Sequence, residues 1–294
     1  MATVAAEAHV RPQETVAGRI LRLFAKSPVH IFLIVVGVLW LVPTIGLFLT
    51  SILPGATFGI SGWWKIFSEP HLATFENYRN VWNSTNIPHA LATTAEIAVG
   101  GTVIPIVVAA LAGYAFAWLE FPGRDWIFIV VIALLVVPLQ VALIPMLRLY
   151  RTVGIEDTVL SLILFHAAFA LPFAIFLLRN FFIGIPKDIL ESARIDGASE
   201  PRIFVRLILP LGLPAIASLG IFQFLWTWND LLVALILARE TQPITVAIYS
   251  QTREFGSSID LIAPASFLSL VIPLIVFFAF QRYFVQGLLA GSVK

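Results

Sequence analysis

Hydrophobic residues in this chain run together in long blocks instead of alternating with polar ones. Charged residues mark the ends of these blocks. Between Lys26 and Lys65 lies an interval whose apolar centre is Ile31–Leu53. Glu96 and Glu120 enclose Ile97–Leu119, Asp125 and Arg148 enclose Trp126–Leu147, and Asp157 and Arg179 enclose Thr158–Leu178. Arg206 and Asp230 enclose Leu207–Asn229, with apolar chain continuing to Ala238, and Asp260 and Arg282 enclose Leu261–Gln281. A helix needs about 20 such residues to cross a bilayer. The pattern therefore predicts six transmembrane helices, at about 31–53, 97–119, 126–147, 158–178, 207–238 and 261–281. A β-barrel does not fit, because its strands alternate over about 10 residues. Pro43, Pro105, Pro138, Pro172, Pro214 and Pro273 fall inside the predicted helices, where each removes a backbone donor and can bend its helix.

Composition agrees with a lipid solvent. Hydrophobic residues make up 59% of the 294 and charged residues 12%, against about 25% charged in soluble domains. Net charge is +1 with no block of like charges, which argues against nucleic acid as a partner. Cysteine is absent, which excludes disulfide frameworks and thiolate metal sites. The first 29 residues form a polar segment carrying Arg11, Arg19, Arg22 and Lys26. The apolar run after it is too long for a cleaved signal and is expected to remain as the first span. With that segment inside the cell, inside segments hold twelve of the 18 Lys and Arg and outside segments hold six, which predicts both termini in the cytoplasm. The expected location is a plasma or inner membrane of bacterial type, crossed several times.

The inside loop between spans four and five, about 185–206, carries the most local information. Pro186 suits a first helical turn, Asp188 and Glu191 suit the positive end of a helix dipole, and Gly197 suits a left-handed stop. Ser199 can cap a second helix that has Pro201 near its start. Ile189, Leu190 and Ala193 give the first helix an apolar face suited to a groove on another protein. From these features alone, such a helix could equally lie on lipid headgroups.

The exact residues point further. Glu191-Ser-Ala-Arg-Ile-Asp-Gly-Ala198, with Leu207 and then Leu209-Pro210, resembles the "EAA" loop of ABC importer permeases. That family's pattern is Glu-Ala-Ala, three residues, Gly, nine residues, Ile, one residue and Leu-Pro; Ser192 and Leu207 are the two departures here. Trp226-Thr-Trp-Asn-Asp230 resembles span five of the carbohydrate (maltose-type) branch, and Gln281–Lys294 resembles the tail of that branch's G subunit. Trp63-Trp64 is closer to permeases for α-glucosides. The resemblance implies an all-α membrane protein with six transmembrane helices and the type I ABC importer permease fold. It implies a coupling helix seated in an ATPase subunit, with Glu191, Ser192, Ala193, Asp196, Gly197 and Ala198 assigned to that contact. It also implies a sister permease of the F type, two ATP-binding subunits and an extracytoplasmic sugar-binding protein as partners. The outside loop holding Glu254, Phe255, Gly256, Ser257 and Ser258 is assigned to contact with the binding protein. No cofactor is expected on this chain; ATP and Mg²⁺ belong to the partner ATPases. The expected cargo is a di- or oligosaccharide such as an α-glucoside, maltose or trehalose.

Polar residues inside the spans are candidates for the pathway. Gln140, His166, Gln223, Asn229 and Asp230 could bond to sugar hydroxyls or simply to neighbouring helices. Trp226 and Trp228 could stack on a sugar face or sit at the membrane interface. No Gly-Lys-Ser/Thr phosphate loop and no His-Glu-x-x-His motif occurs, so a transport subunit is expected and not an enzyme. The alternative is a stand-alone secondary transporter driven by an ion gradient, which predicts internal repeats and paired intramembrane charges. No clear repeat is visible.

Overall fold

The computed structural model describes residues 16–58, 61–254 and 258–292. Among them all regular structure is helical. The first helix, α1 (Val16–Ser51), leads through a short turn, α2 (Gly55–Phe58), and two 3₁₀ turns to α3 (Glu76–Ser84) and the long α4 (Ile87–Trp118). There follow α5 (Arg124–Ala133), α6 (Leu139–Val153), α7 (Val159–Ile183), and the short α8 (Lys187–Ile195) and α9 (Glu200–Ile203). Then come α10 (Leu209–Trp228), α11 (Leu232–Leu237), α12 (Ile244–Glu254) and α13 (Ile259–Ser292).

Among the described residues, five segments are long and apolar enough to cross a bilayer: Pro28–Ser51, Ile87–Trp118, Val159–Ile183, Glu200–Trp228 and Ile259–Tyr283. A sixth crossing depends on α5 and α6, which cover the expected span over 126–147 and break at Pro138, one of the prolines expected to bend its helix. The two helices meet at a bend of 102°. Val137 and Pro138 are both extended at the bend. The proline ring disfavours the helical region for the residue before it, so the chain turns there. Span five departs from expectation. The helix expected to reach Ala238 stops at Trp228, and α11 starts afresh at Leu232. The Asp230 carboxylate causes the restart by accepting from Val233 N (3.3 Å) and Ala234 N (3.2 Å), two donors that a helix start leaves open.

The pair α4–α7 forms the centre of the bundle, and small residues explain its closeness. A Cβ added at Gly113 of α4 would stand 3.0 Å from Arg179 N and 3.2 Å from the Leu178 Cβ of α7. Close backbone approach of this kind replaces the hydrophobic drive that lipid cannot supply. Around one end of the pair, Tyr114, Phe116, Phe128, Leu178, Phe182 and Phe204 pack into one apolar cluster. Towards the other end, Ile97, Leu143, Leu162, Phe165, Val233 and Leu237 form a second. The helix α1 lies against α13 and leaves Phe32, Leu39 and Trp40 exposed, as a lipid-facing helix does. Its end is held by Asn77 of α3, whose amide donates to Ser51 O (3.0 Å) and Leu53 O (2.8 Å).

Candidate functional site

The loop between α7 and α10 is built as a mounted bracket. Pro186 immediately precedes α8, and Asp188 sits in its first turn. Leu190 is fully buried in the apolar cluster that also holds Phe182, Ile203 and Ile208. The apolar face expected from Ile189, Leu190 and Ala193 is thus divided. Leu190 turns into the chain's own core, Ala193 packs partly against it, and Ile189 and Ile195 face outward. Glu191 and Ser192 are exposed on the free side, with Lys187 Nζ 2.7 Å from Glu191 Oε1. The neighbouring ammonium holds the Glu191 carboxyl below the usual carboxylate range.

Gly197 ends the helix. Its φ of +77° lies in the left-handed region, and Gly197 N donates to Arg194 O while Ala198 N donates to Ala193 O, both at 3.0 Å. This is the paired 5→2 and 6→1 pattern of a Schellman stop. Asp196 and Gly197 are exposed beside it, and Ala198 is partly buried. Ser199 occupies the cap position of α9, but its side chain makes no capping bond. The acidic residue after it does more. Glu200 Oε1 accepts from Arg194 Nε (2.8 Å), and Glu200 Oε2 accepts from the Tyr114 hydroxyl of α4. Arg194 Nη2 also reaches Trp118 O (3.4 Å), and Trp118 Nε1 donates to Phe182 O of α7 (3.1 Å). Reading the loop alone missed this network, because Tyr114 lies far away in sequence. Beyond α9, Phe204–Ile208 widen into one π turn. Pro210 lacks an N–H and its ring would crowd the carbonyl four residues back, so the turn opens before the helix resumes.

A cavity of about 480 Å³ lies between α7, α10 and the α5–α6 bend. His166, Gln223 and Trp226 all line it, together with Phe165, Phe169 and Phe173. Phe165 and Phe169 stack with centroids 5.9 Å apart and planes 7° apart. Gln223 Nε2 donates to Gly101 O and lies 3.2 Å from both that carbonyl and Thr227 Oγ1, which leaves its carbonyl oxygen for a ligand. His166 Nε2 lies 3.6 Å from Asp230 Oδ2, so Asp230 stands behind the cavity wall. Trp226 is 64% exposed. The other aromatic weighed for stacking, Trp228, is buried; it donates to Ser269 O (3.0 Å) and stacks on Phe224. It is a core residue. Gln140 and Asn229 are exposed and do not line the cavity; Asn229 donates to Leu225 O of its own helix.

Phe255, Gly256 and Ser257 of the expected binding-protein loop lie outside the described residues, and so does the side chain of Glu254. Ser258 O accepts from Leu261 N and Ile262 N at the start of α13. A second feature missed from sequence holds the segment leading into α12. Asp157, at φ +56°, accepts on its carboxylate from Arg239 N (2.8 Å), Glu240 N (3.0 Å) and Thr241 N (3.1 Å). Thr241 Oγ1 returns a bond to Asp157 O (2.7 Å). An Asp just after Gly154 in a short connection was the available signal, since Asp tolerates left-handed backbone.

Comparison with known proteins agrees with this architecture. The chain is 46% identical over 92% of its length, and 92% of the relative's, to the osmoprotective compounds uptake permease protein GgtD of Synechocystis sp.. It is 48% identical over 76% of its length to the alpha-glucoside transport system permease protein AglG of Rhizobium meliloti, spanning 61% of that protein. The fold matches a crystal structure of a bacterial ABC transporter that imports the acidic polysaccharide alginate. The TM-score is 0.72 at 22% identity, covering 93% of this chain and all of that one. Residues 101–289 match the family described as the binding-protein-dependent transport system inner membrane component. The α4–α13 bundle and its bracketed loop are therefore those of a multi-pass permease subunit of an ABC importer, and the chain belongs to the family of inner membrane components of binding-protein-dependent transport systems.

Proposed function

We propose that this chain forms half of the translocation pathway of an ATP-driven importer for di- or oligosaccharides, with α-glucosides, maltose or trehalose as the substrate class. A sister permease supplies the other half. Two ATP-binding subunits carry ATP and Mg²⁺, one of them seated on α8, and an extracytoplasmic sugar-binding protein delivers the cargo. The termini and α8 face the cytoplasm, in a bacterial inner membrane.

The observation that carries this reading is the build of α8. One side, Leu190, is fully buried in the bundle, while Glu191, Ser192, Asp196 and Gly197 are presented outward beyond a rigid stop. A helix anchored on one side and free on the other transmits a push from a docked partner into the spans it is mounted on. Ala193 and Ala198, partly buried against the chain's own core, leave low relief beside the outward residues, because small side chains let another backbone approach. The cavity offers His166, Gln223 and Trp226 for the sugar, with Asp230 Oδ2 3.6 Å from His166 Nε2. Its mixture of aromatic wall and few polar groups suits a sugar, whose ring faces are apolar and whose edges are hydroxylated. The relative that transports alpha-glucosides supports the substrate class.

Glu191→Ala combined with Gly197→Pro tests the docking role. Proline cannot adopt φ +77°, so the stop is lost along with the exposed carboxylate. The expected outcome is loss of ATP-dependent sugar uptake in proteoliposomes, with membrane insertion unchanged. Uptake at the unsubstituted rate would count decisively against docking through α8. The sugar itself is found by titrating the purified binding protein with a panel of disaccharides.

A further inference from the structure

The bracket contains a carboxylate that the docking contact does not use. Glu200 stands where three elements meet: Arg194 from α8, Tyr114 from α4 and its own α9. Gly197 makes this meeting possible, because its left-handed turn folds the chain back so that Glu200 comes beneath Arg194. Tyr114 is 4% exposed and packs on Phe204, with ring centroids 5.3 Å apart. Its hydroxyl has Glu200 as its partner. Arg194 spans the two oxygens, at 2.8 Å from Nε to Oε1 and 3.4 Å from Nη2 to Oε2, and that same Nη2 reaches Trp118 O at the last residue of α4.

Among the described residues, the side-chain hydrogen bonds leading from α8 to other elements all come from Arg194. Lys187 pairs with Glu191, and Ser192 bonds to Asp188 O, both within α8. Leu190 holds α8 by apolar contact, which is non-directional. Direction comes from the guanidinium–carboxylate pair, whose planar donors fix geometry as well as distance. The carboxylate in turn is fixed by a phenol rooted in α4.

We propose that Glu200 is a positioning residue, tying α8 to the end of α4 through Arg194 and Tyr114 so that the two helices move as one body during transport. The inference rests on the reading that α8 seats on an ATPase. It adds that a push on α8 enters the membrane through α4 and, by way of Trp118 and Phe182, through α7. With the strut cut, the ATPases still dock on the exposed residues, but hydrolysis is no longer converted fully into span movement.

The test uses the complete importer with its partner subunits and binding protein in proteoliposomes. Tyr114→Phe removes one hydroxyl on the side of the bracket away from the docking face and keeps the ring on Phe204. Glu200→Gln keeps shape and removes charge. Both are expected to raise the ATP hydrolysed per sugar delivered about five-fold, the factor that goes with one lost hydrogen bond, with basal hydrolysis kept. Because the chain has no cysteine, spin labels on Leu111→Cys of α4 and Asp188→Cys of α8 report their separation directly. The separation is expected to be the same with and without trapped ATP, and to broaden in Tyr114→Phe. A change of more than about 5 Å, one helical turn, between the two states of the otherwise unaltered chain would overturn the proposal. So would an unchanged ATP-to-sugar ratio in both variants. Should either variant fail to insert, the label distance in the unaltered chain decides alone. If the unsubstituted importer shows no ATP-driven uptake, the transport reading falls, and this one with it.

Discussion

Asp157 gathers three backbone donors from a segment more than eighty residues away, at a φ that L-residues seldom adopt. Hydrogen bonds to a charged group contribute about 1.5–3 kcal/mol each where the alternative is an unmet donor, and less where water replaces them. Asp157→Ala is therefore expected to lower stability by about 2 kcal/mol, seen as a lower melting temperature in detergent. The same change should speed amide exchange at Arg239, Glu240 and Thr241. Asp157→Asn keeps one acceptor and the tolerance for left-handed backbone, so it should lose roughly half as much. A loss for Ala with none for Asn would show that the backbone turn, and not the acceptor pair, matters.

At the same scale, Lys187 and Glu191 behave as an exposed pair, and such pairs add little to stability. Their effect is on titration. Because the folded carboxyl is held low, the pair is present above the ordinary carboxylate pKa and is lost as pH falls through the lowered one. At neutral pH both groups stay charged. Lys187→Ala should return the Glu191 titration toward the ordinary carboxylate range, readable by carbon NMR with Glu191→Gln assigning the signal, and leave the melting temperature unmoved. A Glu191 titration indifferent to Lys187→Ala would remove the ammonium as the cause.

At the scale of elements, the helices were legible because charge is expensive in lipid and so marks their ends. The breaks within them were less so. Charge-free intervals do not register the bend at Val137–Pro138; Pro138 itself marked the place, but not its size of 102°. Asp230 was legible as an ionisable residue near a span, but its carboxylate proves to be the restart of α11. Gly197 was readable as a stop because its conformation is a local matter. The Tyr114–Glu200 bond was not, since it depends on which helix ends the fold brings together. Helix contact also has a testable small-residue basis. Gly113→Leu should destabilise by about 1–3 kcal/mol, the range for overfilled cores, because α7 backbone occupies the space. Gly37→Leu in α1, where an added Cβ meets nothing within 4 Å, should leave the melting temperature alone. Similar behaviour at both positions would contradict the close α4–α7 approach as the constraint.

At the scale of the whole molecule, the bundle leaves a hollow open at its surface. The cavity is walled by α7, α10 and the α5–α6 bend, and its rim carries Val137, Phe222 and Trp226 in exposed positions. Of the residues singled out as pathway candidates, His166, Gln223 and Trp226 gather here, while Gln140 and Asn229 do not. Sequence alone could list polar groups at membrane depth. It could not tell which of them share one space, because that depends on helix rotation.

The open wall has a consequence for biosynthesis. On the proposed assembly, a newly inserted copy that has not met its sister permease presents this hollow to the bilayer, where acyl chains fill it against the Gln223 side chain. The Gln223 amide is already bonded to Gly101 O, and lipid offers no donor to its carbonyl oxygen, so an orphan copy is expected to hold one unmet acceptor at the hollow.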